Sequence, residues 1–209
     1  MSKGVRTRAA ILGEALSLMS TDGLSGLTIG LLAERTGLSK SGLFAHFGSK
    51  EQLQVAVLQE AQACFTAHVI RPVLGLPRGL PRLEAFAEGW WTWNRSPPFP
   101  GGCPIQAASL ELDDRPGLLR DEIAGAQRRL RAFIRQGAAM AIAAGHFRPG
   151  LDCTLFAFQM VGIAFAQTMT CRLLGEPEGL DFVRRAWRLQ VEGALGSAHN
   201  QTGEMNHVE

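Results

Sequence analysis

Helical spacing dominates this chain of 209 residues and leaves little room for strands. Near the start, Ile11, Leu12, Ala15, Leu16 and Met19 recur at intervals of three and four, which places them on one face of a helix. Alternation of apolar and polar residues with a period of two is missing, and the chain contains no tyrosine. The pattern predicts an all-α fold of about nine helices.

Small polar residues divide the first quarter of the chain into four helices. Thr28, Ser39 and Ser49 each precede a run with helical spacing, as N-cap residues do. Gln52 stands three residues after Ser49 and completes a capping-box pattern. We therefore expect the first helix to end near Gly23, two short helices to follow, and a fourth to run over about 49–71.

The remaining helices are predicted from apolar spacing and from prolines. We expect a Pro/Gly linker from Pro72 to Pro81, and Pro116 is expected at the first helical position of a long helix, with Asp152 capping the next. The expected helices cover about 83–93, 105–112, 116–144, 152–174 and 180–195. We expect a first domain over 1–50, joined by the fourth helix to a helical domain over 51–197, and a disordered tail over 198–209.

Positive charge is concentrated at the N-terminal end. The net charge is only +2, but the first 50 residues hold six lysines and arginines against three acidic residues. A basic N-terminal quarter suits a polyanionic partner, although a solvated helix face would give the same count.

The cysteine pattern argues against a disulfide framework and against a metal site. The four cysteines form no C-x-x-C pair, and no histidine stands at metal-ligand spacing from them. We expect free thiols in a reducing cytoplasm, with no cofactor. The most apolar stretch, Leu151 to Leu174, includes Asp152 and Arg172, and we expect a buried interface helix there rather than a membrane span. No signal peptide opens the sequence, so the expected location is the cytoplasm.

The second and third helices fit a helix-turn-helix. A helix that enters a DNA major groove about 12 Å wide needs small, polar, non-acidic residues at its leading end. Ser39, Lys40, Ser41 and Gly42 meet that need, and Leu43 points to the opposite, inward face. An ordinary surface hairpin of two helices would have similar spacing.

The run TRAAILGEALSLMSTDGLSGLTIGLLAERTGLSKSGLFAHFGSKEQLQVAVL, Thr7 to Leu58, resembles the DNA-binding domain of the tetracycline-repressor (TetR) family of transcriptional regulators. The order of an opening helix, a Gly turn, LTIGLLAERTGLS and an aromatic-His-aromatic end before GSKEQL carries the resemblance. GGCPIQAASLEL, Gly101 to Leu112, is similar to a segment found in one branch of the family.

The resemblance implies a homodimer that places its third helix in the major groove at each half of a palindromic operator. Thr28 and Ser39 would contact phosphate, Lys40 would lie at the base edges, and His46 and Lys50 would lie near the DNA backbone. The DNA-binding residues implied by the resemblance are Thr28, Ser39, Lys40, Ser41, Gly42, Phe44, His46 and Lys50.

One departure from the family pattern lies in the third helix. Phe44-Ala45 stands where the family usually has a tyrosine before the histidine, so a phenol that could donate to phosphate is missing. We expect a loss of about 1 kcal/mol per subunit, or compensation from Lys40 and from a basic arm. The arm would consist of Lys3, Arg6 and Arg8, which a disordered basic tail would explain equally well.

The larger helical part would hold the effector and the dimer interface. Trp90, Trp91 and Trp93 cannot all face one direction on a helix, so at least one is expected to be exposed, in a pocket or against a partner. Candidate effector residues are Trp90, Trp91, Cys103 and Phe165, although packing alone would explain them. The last two helices would pair with their copies as a four-helix interface.

Together these features predict a repressor that binds a palindromic operator as a homodimer and is released by a small apolar or aromatic effector. A helical small-molecule-binding protein with weakened or lost DNA binding is the alternative. An enzyme is disfavoured because the sequence offers no acid pair, metal cluster or phosphate-cradling glycine loop.

Overall fold

A computed structural model describes residues 3–95 and 98–195, and within them the chain folds as nine α-helices. The helices are α1 Lys3–Gly26, α2 Ile29–Thr36, α3 Lys40–Phe47, α4 Lys50–Phe65, α5 Leu80–Arg95, α6 Pro104–Glu111, α7 Leu118–Ala143, α8 Cys153–Thr168 and α9 Gly179–Ala194. π-helical turns extend α4 and α8, and a single antiparallel bridge joins Phe147 to Leu195. The all-α prediction is confirmed, and the tail expected over 198–209 lies outside the described residues.

The helix starts follow the predicted capping residues. Thr28, Ser39 and Ser49 each accept a hydrogen bond from the amide three residues further on, at 3.2, 3.1 and 3.1 Å. Asp152 Oδ1 accepts hydrogen bonds from the amides of Thr154 and Leu155 in the first turn of α8, at 2.8 and 3.0 Å. These bonds satisfy donors that a helix cannot satisfy internally, so the sequence alone located the starts of α2, α3, α4 and α8.

Two predicted boundaries are wrong. Pro116 does not open α7, because Gly117 follows it with φ of 137°, outside the helical region, and the helix begins at Leu118. The linker after Pro72 ends before Pro81, which lies in the first turn of α5. A proline is tolerated there because the amides of a first turn have no intrahelical partner. The expected end of α1 is confirmed in substance, since Gly23 breaks the helix with φ of 72° and ψ of 177°.

The chain divides into two compact units. The first, hereafter the head unit, comprises the described residues of 1–68 and 96–127, with α1 at its centre against α2, α4 and α6. Its buried apolar side chains include Leu16, Met19, Leu32, Leu43, Val57 and Ala61. Loss of water contact by these side chains is the main stabilising contribution to this unit.

The second unit, hereafter the helical unit, comprises the described residues of 69–95 and 128–195. Here α5 packs against α8 and α9. The prediction that at least one tryptophan of α5 is exposed is wrong: Trp90, Trp91 and Trp93 are 2%, 1% and 4% exposed. α5 packs against α8 and α9, and its apolar face is wide enough to bury all three rings, while Glu84, Glu88 and Thr92 stay exposed on the opposite side.

The segment Cys153–Leu173 is the one helix in the described chain that is long and apolar enough to span a membrane, and 33% of the tested window is buried. Packed core helices meet the same criterion. Its buried residues, Phe156, Met160 and Ala164, lie on the face that packs within the helical unit.

Candidate nucleic-acid interface

The turn between α2 and α3 is built by a glycine and by buried leucines. Gly37 adopts the left-handed conformation, with φ of 66° and ψ of 19°, and ends α2. The amide of Leu38 then donates to the carbonyl of Ala33 at 3.1 Å. Leu32 and Leu43 are 0% and 1% exposed, so each helix is anchored by one face. The opposite face of α3 is left to solvent.

The leading end of α3 is small, polar and basic. Ser39, Lys40 and Ser41 are exposed, and Gly42 is half-buried. The hydroxyl groups of Ser39 and Ser41 lie 3.0 Å apart in a hydrogen bond. A Cβ at Gly42 would approach Ser39 Oγ at 3.3 Å, so a larger residue there would crowd the cap. The geometry leaves this end of the helix free to approach a partner closely.

The C-terminal half of α3 mixes an exposed and a buried aromatic side chain. Phe44 is 43% exposed, whereas Phe47 is buried. Ala45 is exposed, and His46 is half-buried with its ring 6.3 Å from that of Phe47. Of the residues predicted near the DNA backbone, Phe44 is therefore more accessible than His46.

Two further helix starts contribute exposed polar groups. Thr28 caps α2, and Lys50 is the first residue of α4 behind the cap of Ser49; both Thr28 and Lys50 are exposed. From Thr28 to Lys50 the positive side chains are Arg35, Lys40 and Lys50. Capped helix starts with adjacent lysines favour anions, because the first amides and the helix dipole are electropositive.

The predicted basic arm is partly held against the head unit. Arg6 and Arg8 lie on α1 and are exposed, and the side chain of Lys3 lies outside the described part. The guanidinium of Arg8 lies 5.0 Å from the centroid of the Phe47 ring, a cation–π distance. Arg8 is thus placed beside α3 by a contact that the sequence did not reveal.

Sequence reasoning also missed the side chains that hold the end of α1, just before α2. The Glu111 carboxylate accepts hydrogen bonds from the amides of Leu24 and Ser25, and Gln54 Nε2 donates to the Leu24 carbonyl. Glu111 lies at the end of the segment GGCPIQAASLEL, but 86 residues separate it from Ser25. A contact over that distance leaves no local signal in a single sequence.

The four candidate effector residues fall into different surroundings. Trp90 and Trp91 are buried in the helical unit, where their rings stack at 5.9 Å, and Phe165 is half-buried on α8. Cys103 is buried at the N-cap position of α6 and belongs to the head unit. The structure therefore does not gather all four into one compact unit.

Buried polar groups lie beside these tryptophans. Asn94 Nδ2 donates to the Ala164 carbonyl and to Gln167 Oε1, both at 3.1 Å. Gln167 Nε2 donates in turn to the Trp91 carbonyl at 2.8 Å. Among the described residues, Asn94 Oδ1 is buried and accepts no hydrogen bond. An unsatisfied acceptor in an apolar interior is unusual in folded proteins.

All four cysteines are free thiols. Burial, with a smaller contribution from Glu60, raises the pKa of the Cys64 thiol. Burial and then Asp152 raise the pKa of the Cys153 thiol. These two side chains are therefore protonated at neutral pH, and the thiolate is the reactive form of cysteine.

Comparisons with known proteins agree with this geometry. Residues 11–57 match the family described as bacterial regulatory proteins, tetR family, and residues 79–187 match the tetracyclin repressor-like C-terminal domain. A curated relative, the HTH-type transcriptional repressor AcnR of Corynebacterium efficiens, is 39% identical over 61 residues. That alignment covers 29% of this chain and 32% of the relative, so the chain matches about a third of the length of that protein.

Solved structures extend the similarity to nearly the whole chain. A TetR transcriptional regulator from Chloroflexus aurantiacus is 28% identical, with a TM-score of 0.82 over 92% of this chain and 96% of that one. The structure of AibR in complex with isovaleryl coenzyme A and operator DNA is 23% identical, with a TM-score of 0.65 over 78% and 85% of the two chains, and supports the fold alone. With a helix-turn-helix exposed at α3 and family matches in both parts of the sequence, the chain belongs to the tetracycline-repressor family of DNA-binding transcriptional regulators.

Proposed function

We propose that this regulator is a cytoplasmic repressor that binds a palindromic operator as a homodimer and is released by a small apolar or aromatic effector. The observation that carries the proposal is the exposed leading end of α3, where Ser39, Lys40 and Ser41 stand on a helix anchored by the buried Leu43. Small side chains let the helix enter a groove, and the lysine supplies charge and hydrogen bonds there.

The eight candidate DNA-binding residues of the head unit each have a role in this proposal. Lys40 and Ser41 contact base edges, while Thr28, Ser39 and Lys50 contact phosphates through side chains and first-turn amides. Gly42 lets the backbone come close to the DNA. Phe44 presses against a sugar or a thymine methyl, and His46 lies behind it near the DNA backbone.

Exposed apolar side chains on α8 and α9 support the homodimer. Phe158 is 60% exposed and Leu189 is 68% exposed, although both side chains are apolar. They belong to a set whose members stand 3, 11 and 4 residues apart along α8 and its extension and 7 apart along α9, which are close to whole numbers of helical turns. The set is Leu155, Phe158, Met169 and Leu173 on α8 and its π-helical extension, with Phe182 and Leu189 on α9. A second copy would remove this surface from water, as isologous dimer interfaces do.

The helical unit is the proposed site of the effector. Trp90, Trp91 and Phe165 supply the apolar walls that an aromatic or aliphatic molecule needs. The buried Asn94 Oδ1 supports a ligand that carries a hydrogen-bond donor, because such a donor would satisfy it. Cys103, which belongs to the head unit, stays a separate candidate for effector contact.

Operator binding can be tested by fluorescence anisotropy with labelled duplexes from the DNA that flanks the gene, at two salt concentrations. We expect tight binding to a palindromic segment, and weaker binding by the variant Lys40→Ala. Arg78→Ala is the matched control, because Arg78 is an exposed cation in the linker before α5. Its loss should leave operator affinity unchanged.

Equal affinity for every duplex would contradict the proposal. In that case the helical unit alone would bind small molecules, and the head would have lost its operator. Effector binding has a separate readout, because all four tryptophans, Trp90, Trp91, Trp93 and Trp187, belong to the helical unit. Quenching of their fluorescence by a small molecule therefore reports on that unit and not on the head.

A further inference from the structure

The Glu111 carboxylate holds the end of α1, where the chain turns towards α2. Glu111 Oε2 accepts from the amide of Leu24, and Oε1 accepts from the amide of Ser25, both at 2.7 Å. The hydroxyl of Ser25 also donates to Oε1. Glu111 is the last residue of α6, so these bonds tie α6 to the backbone just before the helix-turn-helix.

The surrounding residues show that the carboxylate is built into this turn. Arg115 Nη1 lies 3.7 Å from Glu111 Oε1 and donates to Ser25 Oγ at 2.9 Å. A Cβ at Gly23 would lie 2.9 Å from Glu111 Oε2, and φ of 72° at that residue already favours glycine. A side chain at residue 23 would therefore force the Glu111 carboxylate to move from this position.

Two more long-range hydrogen bonds hold the same stretch of α1. Gln54 Nε2, from α4, donates to the Leu24 carbonyl at 3.1 Å. The amide of Gly101, just before α6, donates to Ser20 Oγ at 3.0 Å, and a Cβ at Gly101 would overlap the Ser20 backbone. Side chains of α4 and α6 and the backbone just before α6 thus hold the end of α1 that leads into the N-cap of α2.

The ionised form of Glu111 is the one that these contacts favour. Burial opposes ionisation, but the hydrogen bonds from Ser25 and Leu24 and the charge of Arg115 outweigh it, so the pKa of Glu111 is lowered. Hydrogen bonds to an ionised carboxylate are shorter and stronger than hydrogen bonds to a neutral acceptor in the same place. The turn is therefore held by a charge at neutral pH.

We propose that Glu111 is a positioning residue for operator binding: without touching DNA, its carboxylate fixes the turn at residues 23–25 and thereby the placement of α2 and α3. The proposal rests on the operator binding proposed above. Without these hydrogen bonds, a smaller fraction of head units would be in the arrangement that binds the operator. The apparent operator affinity would fall in proportion to that fraction.

The test compares operator affinity of the full-length protein and its variants at a temperature where circular dichroism shows all of them folded. The probe is a labelled duplex carrying the palindrome selected from the flanking DNA. We expect Glu111→Gln to weaken operator binding about tenfold, and to weaken binding to an unrelated duplex much less. The matched control is Glu14→Gln, which removes one negative charge from the exposed face of α1.

Electrostatics alone predicts the opposite sign. Removing a negative charge favours DNA, so both variants would bind slightly tighter if Glu111 acted only through its charge. Amide hydrogen exchange provides a readout that a general loss of stability would not reproduce. The amides of Leu24 and Ser25 should exchange faster in Glu111→Gln, while amides within α5 and α8 keep their protection.

Wild-type affinity of Glu111→Gln for the operator, or tighter binding, would overturn the inference. If that variant does not fold, Ser25→Ala decides, because it removes the hydroxyl that donates to Glu111 and accepts from Arg115 but keeps both backbone hydrogen bonds to the carboxylate. It should weaken operator binding about two- to fivefold. Wild-type binding by Ser25→Ala would then overturn it. Failure of the wild-type protein to select an operator would instead contradict the proposed function, which keeps the two failures distinct.

Discussion

The exposed surfaces of α3 and α8 differ in what they leave to solvent. α3 exposes Ser39, Lys40 and Ser41 with one aromatic ring, Phe44. α8 exposes Leu155 and Phe158, and its π-helical extension exposes Met169 and Leu173. Small polar groups with a cation suit a hydrated, charged groove, whereas exposed apolar side chains suit another protein surface. The difference between the two surfaces matches the two partners proposed above, an operator for α3 and a second copy for α8.

The largest expected effect comes from a charge placed on the apolar face of α8. Phe158→Glu should raise the dimer dissociation constant at least about a hundredfold, because each copy would lose an apolar ring from the interface and would have to desolvate a carboxylate there. Analytical ultracentrifugation measures the change. Leu118→Glu, on the first turn of α7, is the matched control, since Leu118 is also an exposed apolar residue but lies outside this face. A dimer that survives Phe158→Glu would show that the α8 face is not the interface.

The next prediction concerns the charge of Glu111, which holds the end of α1 before α2. Glu111→Gln should lower the free energy of unfolding of the head unit by about 2 kcal/mol at pH 7, because hydrogen bonds to a charged acceptor are lost. The pKa of Glu111 is lowered by folding, so this stabilisation is present above the ordinary value of 4.5. It disappears as the pH falls through the lowered pKa of the folded state.

Urea unfolding of both proteins over a series of pH values tests that dependence. The stability difference between wild type and Glu111→Gln should be constant near neutral pH and should close in acid. A difference that stays the same down to acid pH would show that shape, rather than charge, accounts for the effect of the substitution.

Lys40→Ala should change a binding free energy by less than the dimerisation change for Phe158→Glu or the unfolding change for Glu111→Gln. We expect operator affinity to fall about tenfold, because one base or phosphate contact per subunit is lost. The slope of log affinity against log salt should decrease by about one per lysine that contacts phosphate. An unchanged slope together with relaxed sequence preference would place Lys40 on a base edge, and a reduced slope with unchanged preference would place it on phosphate.

The parts of this structure that sequence reasoning could predict are those governed by neighbouring residues. Caps at Thr28, Ser39, Ser49 and Asp152 depend on a side chain and an amide two or three residues apart, and all four were located. The anchoring of α3 by Leu43 follows from helical periodicity in the same way.

The parts that could not be predicted depend on distant residues or on neighbours around a helix. The Glu111 carboxylate and the Gln54 amide reach the turn after α1 from 86 and 30 residues away. Burial of Trp90, Trp91 and Trp93 depends on which helices surround α5, whereas the argument from spacing assumed a helix covered on one side only. A boundary such as that at Pro116 was missed because the backbone angle of the following glycine decided it.

The smallest expected effect tests the one residue of α3 that departs from the family pattern. Phe44→Tyr adds a hydroxyl to a ring that is 43% exposed, so the group meets water in the free protein and should change stability by less than about 0.5 kcal/mol. In the complex it would lie where the exposed edge of the ring faces DNA and could donate to a phosphate oxygen. We expect operator affinity to rise about fivefold, in line with one added hydrogen bond of about 1 kcal/mol. Anisotropy at low salt would detect the gain, with Phe99→Tyr, in the loop before α6, as the matched control. A gain in Phe44→Tyr alone would place residue 44 at the sugar-phosphate backbone, and an unchanged or lower affinity would place the ring against a thymine methyl, which offers no acceptor to a hydroxyl.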